Sequence, residues 1–281
     1  MRQESAPLIS IIIAVFNGKA TLQQCIDSVE CQTYPNKQLI IIDGGSTDGT
    51  VSLLHANTNK IGHWISEPDC GIYSAWNKGL ALTRGEWICF LGADDFFWDA
   101  TVLERMAVQL TNLPNKIDVA YGRIMLVSVD GQSSQSKGEP WDVIKESFKH
   151  CMCIPHVGTM HRRRLFEKNG NFDESFRIAG DYELLLRELK TGDAAFFPDV
   201  IVACQRLGGI STNTKNGLSV KREVWRAQRM HGLRPKWAAV LRGSADAYVQ
   251  LILREVFGEQ SLRKVLDLCR RFKRFVLLIK S

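Results

Sequence analysis

Strand-length apolar runs recur through the first hundred residues, each ending at a glycine-rich or acidic segment before a stretch with helical spacing. LISIIIAV stops at Asn17-Gly18, and residues 19–32 then show helical spacing through Leu22, Ile26 and Val29. QLIIID closes on GGSTDG ahead of a short helix over 50–55. HWIS precedes a helical stretch over 72–82, and WICFL ends at Gly92-Ala93-Asp94-Asp95, with Asp99 as N-cap of a helix reaching Leu110. This alternation predicts an α/β fold on a mostly parallel sheet flanked by helices. The alternation then breaks. DVAYGRIMLVSVDGQ reads as strands turning at Asp130-Gly131, residues 181–189 as a helix, and AAFFPDVIVAC as a strand pair interrupted by Pro198. The sequence divides into an α/β domain over 1–215 and a helical basic extension over 216–281.

Acidic residues stand where apolar strands end: Asp43 after the second, Asp94 and Asp95 after the fourth. Open α/β sheets bind ligands at that end, where strand order reverses. Adjacent carboxylates repel unless a cation or hydrogen bonds compensate, and hard oxygen ligands suit Mg²⁺ or Mn²⁺. The plainer alternative makes Asp94 a helix cap and Asp95 a solvated side chain. No G-x-G-x-x-G follows the first strand and no G-x-x-x-x-G-K-[ST] loop occurs, which excludes the NAD-binding and P-loop classes. GGSTDG offers either ligand-holding hydroxyls or a turn.

Four segments in this order and spacing, FNG, IIDGGSTDGT, SEPDCGIYSAWNKGLALTRGEW and FLGADD, resemble the family 2 glycosyltransferases, above all bacterial members that build surface polysaccharides. The resemblance spans about residues 8–215. It implies a GT-A fold, a nucleotide diphosphate sugar donor, Mn²⁺ or Mg²⁺, and inversion at the anomeric carbon. By resemblance Phe16 stacks on the base, Asn17 lies in the same loop, and Asp43 hydrogen-bonds the base. Asp94 faces the ribose or metal, and Asp95 is the direct metal ligand. Glu67 and Asp69 match a segment near the sugar, or form a polar loop. Three departures stand out. Gly92 replaces the first Asp of the D-x-D region, Ser74 replaces a frequent Asp, and Trp76 stands where relatives carry a phosphate-binding arginine, leaving Lys78 or Arg84 as its substitute.

Inverting transfer needs a carboxylate that takes the proton of the acceptor hydroxyl on the face opposite the departing diphosphate. Asp181, at the start of a helix after Ala179-Gly180, resembles the family's acidic position there; helix capping is the alternative role. Glu183 falls on another side of that helix. By resemblance His156 approaches the acceptor or diphosphate, and Arg206, beside a glycine-rich closing loop at 208–211, contacts phosphate. Arg162, Arg163 and Arg164 grip phosphate or form a solvated basic turn.

Charge is uneven. Residues 221–281 hold 15 Lys+Arg against 5 Asp+Glu, a net of +10, while residues 1–220 carry a net of −4. Apolar residues recur at helical spacing from Leu262 to Ile279 with basic residues between them, so residues 262–280 read as an amphipathic helix. It either lies on an anionic membrane or packs on the main domain. No stretch of ~18 apolar residues escapes a charge, and no leader pattern appears. The expected location is therefore the cytoplasm, peripherally on the inner face of the plasma membrane, with a lipid-linked saccharide as acceptor. No nucleic-acid recognition motif accompanies the basic residues. The eight cysteines show no C-x-x-C pair, and Cys151-Met152-Cys153 alone is a weak zinc signal. Two rivals remain. A nucleotidyltransferase would show a basic glycine-rich loop after the first strand; a non-catalytic nucleotide-sugar-binding homologue would keep the donor site and lose the base.

Overall fold

The first apolar run forms β1 (Ile9–Val15), which pairs in parallel with β2 (Lys37–Asp43) on one side and β4 (Trp87–Gly92) on the other. β3 (His63–Ser66) extends the sheet beyond β2. This computed structural model describes residues 6–128, 134–209 and 216–233. The connections are α1 (Lys19–Glu30), α2 (Thr50–Ala56) and α3 (Ile72–Leu82), as the periodicity predicts. Side chains alternate across a strand. Ile9, Ile11, Ile13 and Val15 enter one core with Leu22, Cys25 and Ile26 of α1; Ile12 enters the other with Tyr73, Ala75, Trp76 and Leu80 of α3. Burial on both faces explains why the strand sequences are continuous apolar runs.

Beyond β4 the sheet becomes mixed. After the short β5 (Phe96–Phe97), α4 (Val102–Thr111) packs on the first core, and β6 (Val119–Val127) opens the second half. β7 (Ser134–Lys137) pairs antiparallel with β6, and β8 (Met160–Arg162) inserts antiparallel between β4 and β6. β9 (Ala194–Arg206) runs parallel to β6 and pairs with β5. Among the described residues the order is β3-β2-β1-β4-β8-β6-β9-β5, with β7 off the path. Helices α5 (Trp141–Phe148), α6 (Arg163–Asn169), α7 (Gly180–Leu189) and α8 (Gly217–Met230) complete the described residues.

Two local expectations change. The interrupted strand pair is one strand: pairing jumps from Gly122↔Phe197 to Arg123↔Ile201, so Pro198 sits in a bulge, where its missing N–H costs no ladder bond. The N-cap of α4 is Thr101; Asp99 stands two residues earlier, accepting from the Thr101 N–H at 2.8 Å and pairing with Arg105. The turn at 130–131 and the tail over 262–280 lie outside the described residues. Among those described, no helix is long and apolar enough to cross a membrane.

Candidate active site

Strand order reverses between β1 and β4, and a cavity of about 850 Å³ opens at their carboxyl ends. Its wall brings together Phe16, Asn17, Asp69, Asp94, Asp95, His156, Asp181 and Arg206.

The loops after β1 and β2 hold each other. Asn17, left-handed at φ 52°, accepts from the Thr47 N–H at 2.9 Å, and its own N–H donates to Ser46 Oγ at 2.7 Å. Ser46 Oγ in turn donates to Asp43, whose other oxygen accepts from the Gly45 and Ser46 N–H groups and from Ser66 Oγ at 2.6 Å. Asp48 accepts from the Lys19 and Thr50 N–H groups. The acidic and hydroxyl residues of IIDGGSTDGT thus build the frame, and Asp43 lies fully buried beneath it rather than in the cavity wall. Asp69 occupies the space a side chain at Gly44 would take: a Cβ there would stand 2.7 Å from Asp69 Oδ2. One Asp69 oxygen accepts from the Gly71 N–H at 2.8 Å. Phe16 lines the cavity and is 67% exposed, an apolar ring with no ring contact among the described residues.

At the end of β4, Asp94 and Asp95 converge. A Cβ on Gly92 would lie 2.8 Å from Asp94 Oδ1 and 2.7 Å from Asp95 Oδ2, so two carboxylates share a cradle that only glycine leaves open. Burial, and next the neighbouring Asp94 charge, push the Asp95 carboxyl up to about 7. Two like charges around an open point form the donor set a hard divalent cation takes. Among the described residues no cluster of three or more His, Cys, Asp or Glu surrounds such a point, so a cation here would complete its shell from substrate and water. Arg206 fastens this loop. Its N–H donates to Asp95 Oδ1 at 3.1 Å, and its guanidinium donates to the Asp94 carbonyl and to Gln24.

Asp181 lines the same cavity from the first turn of α7. It accepts from the Tyr182 N–H at 2.8 Å and faces Tyr73 Oη at 3.4 Å. Burial raises its carboxyl to about 6, outweighing these donors. Gly180 permits this approach, since a Cβ there would strike the Tyr73 ring at 2.8 Å. Glu223 of α8 fixes the segment before it, accepting from three successive N–H groups, Arg177 at 2.9 Å, Ile178 at 2.8 Å and Ala179 at 2.8 Å. Neither Glu223 nor the cavity residue Arg177 carries a local sequence signal. Their importance arises from a contact 44–46 residues long in sequence.

Residues 10–171 match the family described as Glycosyl transferase family 2. The chain belongs to that family. It is 30% identical over 223 residues to a PGL/p-HBAD biosynthesis glycosyltransferase of Mycobacterium bovis, covering 78% of this chain and 84% of that one. An uncharacterized glycosyltransferase of Rickettsia typhi is 28% identical over 240 residues, covering 80% and 73%. Among solved structures, a mannosyltransferase from Pyrobaculum calidifontis in complex with GDP-Man and Mn²⁺ superposes with a TM-score of 0.61 at 18% identity, covering 96% of this chain and 81% of that one. S. aureus TarS 1–349 in complex with UDP gives 0.61 at 17% identity, covering 81% and 66%. The chain spans 38% of the longer TarS chain. The fold of these glycosyltransferases, GT-A, is the fold found here.

Several basic residues weighed as phosphate contacts lie elsewhere. Lys78 turns to Glu67 at 2.7 Å and to the Pro68 carbonyl, outside the cavity wall. Arg84 follows the far end of α3, where its N–H meets Gln38. Arg162 lies over the Trp87 ring, Arg163 donates to the Gly85 carbonyl, and Arg164 pairs with Asp118, all at the sheet end opposite the cavity. His156 does line the cavity, but burial lowers its imidazole to about 3, so it is neutral and packs on Trp76 at 5.0 Å between ring centroids. Gly209 reaches the wall; 210–211 lie outside the described residues.

Proposed function

We propose that this family 2 glycosyltransferase moves a sugar, with inversion, from a nucleotide diphosphate sugar to a lipid-linked or saccharide acceptor in surface polysaccharide or glycolipid assembly. The observation that carries the reading is that Asp181, with a carboxyl at about 6, and the Asp94–Asp95 pair line one cavity. Similar proteins support the ligand classes: TarS was crystallised with UDP-GlcNAc, the Pyrobaculum protein with GDP-Man and Mn²⁺, and the mycobacterial relative is a glycosyltransferase of PGL/p-HBAD biosynthesis.

In this reading Phe16 stacks on the base and Asn17 and Asp69 border it, Asp94 faces the ribose, and Asp94 with Asp95 holds Mn²⁺ or Mg²⁺. The bound cation would neutralise charge developing on the departing diphosphate. Asp181 accepts the proton of the acceptor hydroxyl as that oxygen attacks the anomeric carbon; the sugar–phosphate bond breaks on the opposite face, and configuration inverts. A carboxyl near 6 suits the task, being ionised at neutral pH yet more basic than a solvated one. The neutral His156 ring packs on Trp76 in the cavity wall and brings no charge to it. For residues 262–280, the sequence supports peripheral contact with an anionic membrane, each basic residue near the surface contributing about 1 kcal/mol. Sedimentation with anionic vesicles before and after neutralising those residues tests it.

A thermal melt with UDP, GDP, dTDP and CMP, each with and without Mn²⁺, tests the donor reading. Ligand at 100 times its dissociation constant stabilises by about 2.7 kcal/mol, several degrees at ~2–4 °C per kcal/mol for a chain of this size. A metal-dependent shift with one nucleotide is expected. No shift with any of them would favour a protein that has lost donor binding.

A further inference from the structure

We propose that Arg177 is the side chain that grips the donor's diphosphate, a binding role that rests on the transferase reading. Among the described residues the cavity wall carries four carboxylates, Asp69, Asp94, Asp95 and Asp181, and two cationic side chains, Arg177 and Arg206. A nucleotide diphosphate adds at least two negative charges to this acidic wall, and a divalent cation on Asp94 and Asp95 is largely matched by those two carboxylates. A side-chain cation must supply the balance.

Arg206 is committed elsewhere. Its guanidinium is held by the Asp94 carbonyl and Gln24 and lies over the Phe96 ring at 5.3 Å, which fixes the acidic loop. Arg177 differs on each count. It is exposed, its guanidinium donates to the Cys70 carbonyl, and among the described residues it joins no ion pair. Its backbone is nonetheless anchored by Glu223, so a fixed Cα carries an arm whose charge has no carboxylate opposite it.

The place to which the arm reaches is suited to an anion. The guanidinium lies over the start of α3, 3.1 Å from where a Cβ on Gly71 would stand, and no other atom outside that glycine's chain neighbours comes within 4 Å of that point. Gly71, at φ +121°, is the N-cap of this 11-residue helix and makes no side-chain cap, and Gly71, Ile72 and Tyr73 all line the cavity. The first-turn N–H groups there are uncapped and carry the positive end of the helix dipole. A second, independent feature points the same way. Trp76, 6% exposed in the same wall, has an indole N–H with no hydrogen-bond partner, and a buried donor of that kind wants an acceptor. Guanidinium and helix start together present donors to phosphate oxygens, the planar arginine fork matching two of them at once, and the indole N–H lies buried in the same wall.

The experiment measures affinity for uridine, UMP and UDP, and for guanosine, GMP and GDP, with Mn²⁺, on the wild-type chain, Arg177→Gln and Arg177→Lys. The expected result is a 10- to 100-fold loss of diphosphate affinity in Arg177→Gln, unchanged nucleoside affinity, and partial recovery in Arg177→Lys. Unchanged nucleoside binding also shows that the variants are folded. Equal diphosphate affinity in Arg177→Gln and wild type would overturn the assignment alone, and a raised acceptor KM in that variant would move Arg177 to an acceptor phosphate. Failure of the wild-type chain to bind UDP, GDP or dTDP, measured alongside, would instead overturn the donor reading beneath it.

Discussion

The two halves of the sheet contribute differently to the same cavity. From β1 to β4 every neighbouring pair is parallel, β1, β2 and β4 are buried on both faces, and the ligand-facing groups follow directly from strand ends. From β6 to β9 the pairing mixes directions and β9 carries a bulge. Here Asp181 owes its place to Gly180 against Tyr73 and to Glu223 holding residues 177–179. The first half supplies the strand-end groups Phe16, Asn17, Asp94 and Asp95, with Arg206 of β9 fastening the acidic loop; the second places Asp181 through long-range contacts. Substitutions at those strand ends should therefore alter binding or stability, and substitutions that move Asp181 should alter turnover.

The largest effect is expected at Asp95. Asp95→Ala removes one of the two carboxylates in the Gly92 cradle and should abolish Mn²⁺-dependent nucleotide binding, with turnover down by about 1,000-fold or more, because charge stabilisation of this kind dominates such reactions. Titration calorimetry with and without Mn²⁺ checks it. Next is the pH profile. Asp181 must be ionised to accept a proton, so kcat should fall tenfold per pH unit below about 6. An acid limb near 4 would mean that burial does not control this carboxyl.

Glu223→Ala sharpens the comparison, since it touches no ligand. Three N–H groups lose their acceptor, and kcat should drop about tenfold at ~1–1.5 kcal/mol of misplacement. Donor KM should change less and Glu223→Gln should recover part of the loss. Equal losses in kcat and in stability to Gln and Ala would reduce it to a structural strut. In the first half, Gly79→Ala puts a methyl 2.6 Å from Ile12 Cγ2. The helix gains up to about 1 kcal/mol in propensity, but overpacking a strand core costs ~1–3 kcal/mol, so the melting midpoint should fall by a few degrees.

The smallest effect has an informative sign. The raised Asp181 pKa means that the folded state holds the proton more tightly than the unfolded chain. Stability from this group is fully present below about 4 and is lost as pH rises through about 6. Asp181→Asn should accordingly melt slightly higher than wild type at pH 8 and not at pH 4. Differential scanning calorimetry at the two values separates this from a general packing effect.

What the sequence reveals follows the same division. Ile9 to Val15 announces a strand because both its faces are apolar, and Asp94 and Asp95 announce a site because charge follows directly on WICFL. The helix α5 left a readable trace in Trp141, Ile144 and Phe148 at helical spacing, but β8 spans three residues, two of them His161 and Arg162, and has no period to show. Family resemblance located Asp181 but not what fixes it. Asp43 looked like a ligand because it closes a strand, whereas the structure spends both its oxygens on the loop. Lys78 looked like a replacement cation because of its position in α3, and Glu67 holds it away. Arg177 is marked by no local pattern, since its place in the wall depends on α3 and α8 together.

The central claim is that Asp181 is the proton acceptor facing a donor site built by the other half of the sheet. Turnover and nucleoside diphosphate affinity of Asp181→Asn, measured side by side with Mn²⁺ at pH 8, test it most directly. The account predicts at least a 100-fold loss of turnover with diphosphate affinity within twofold of wild type. Turnover retained in that variant would contradict it.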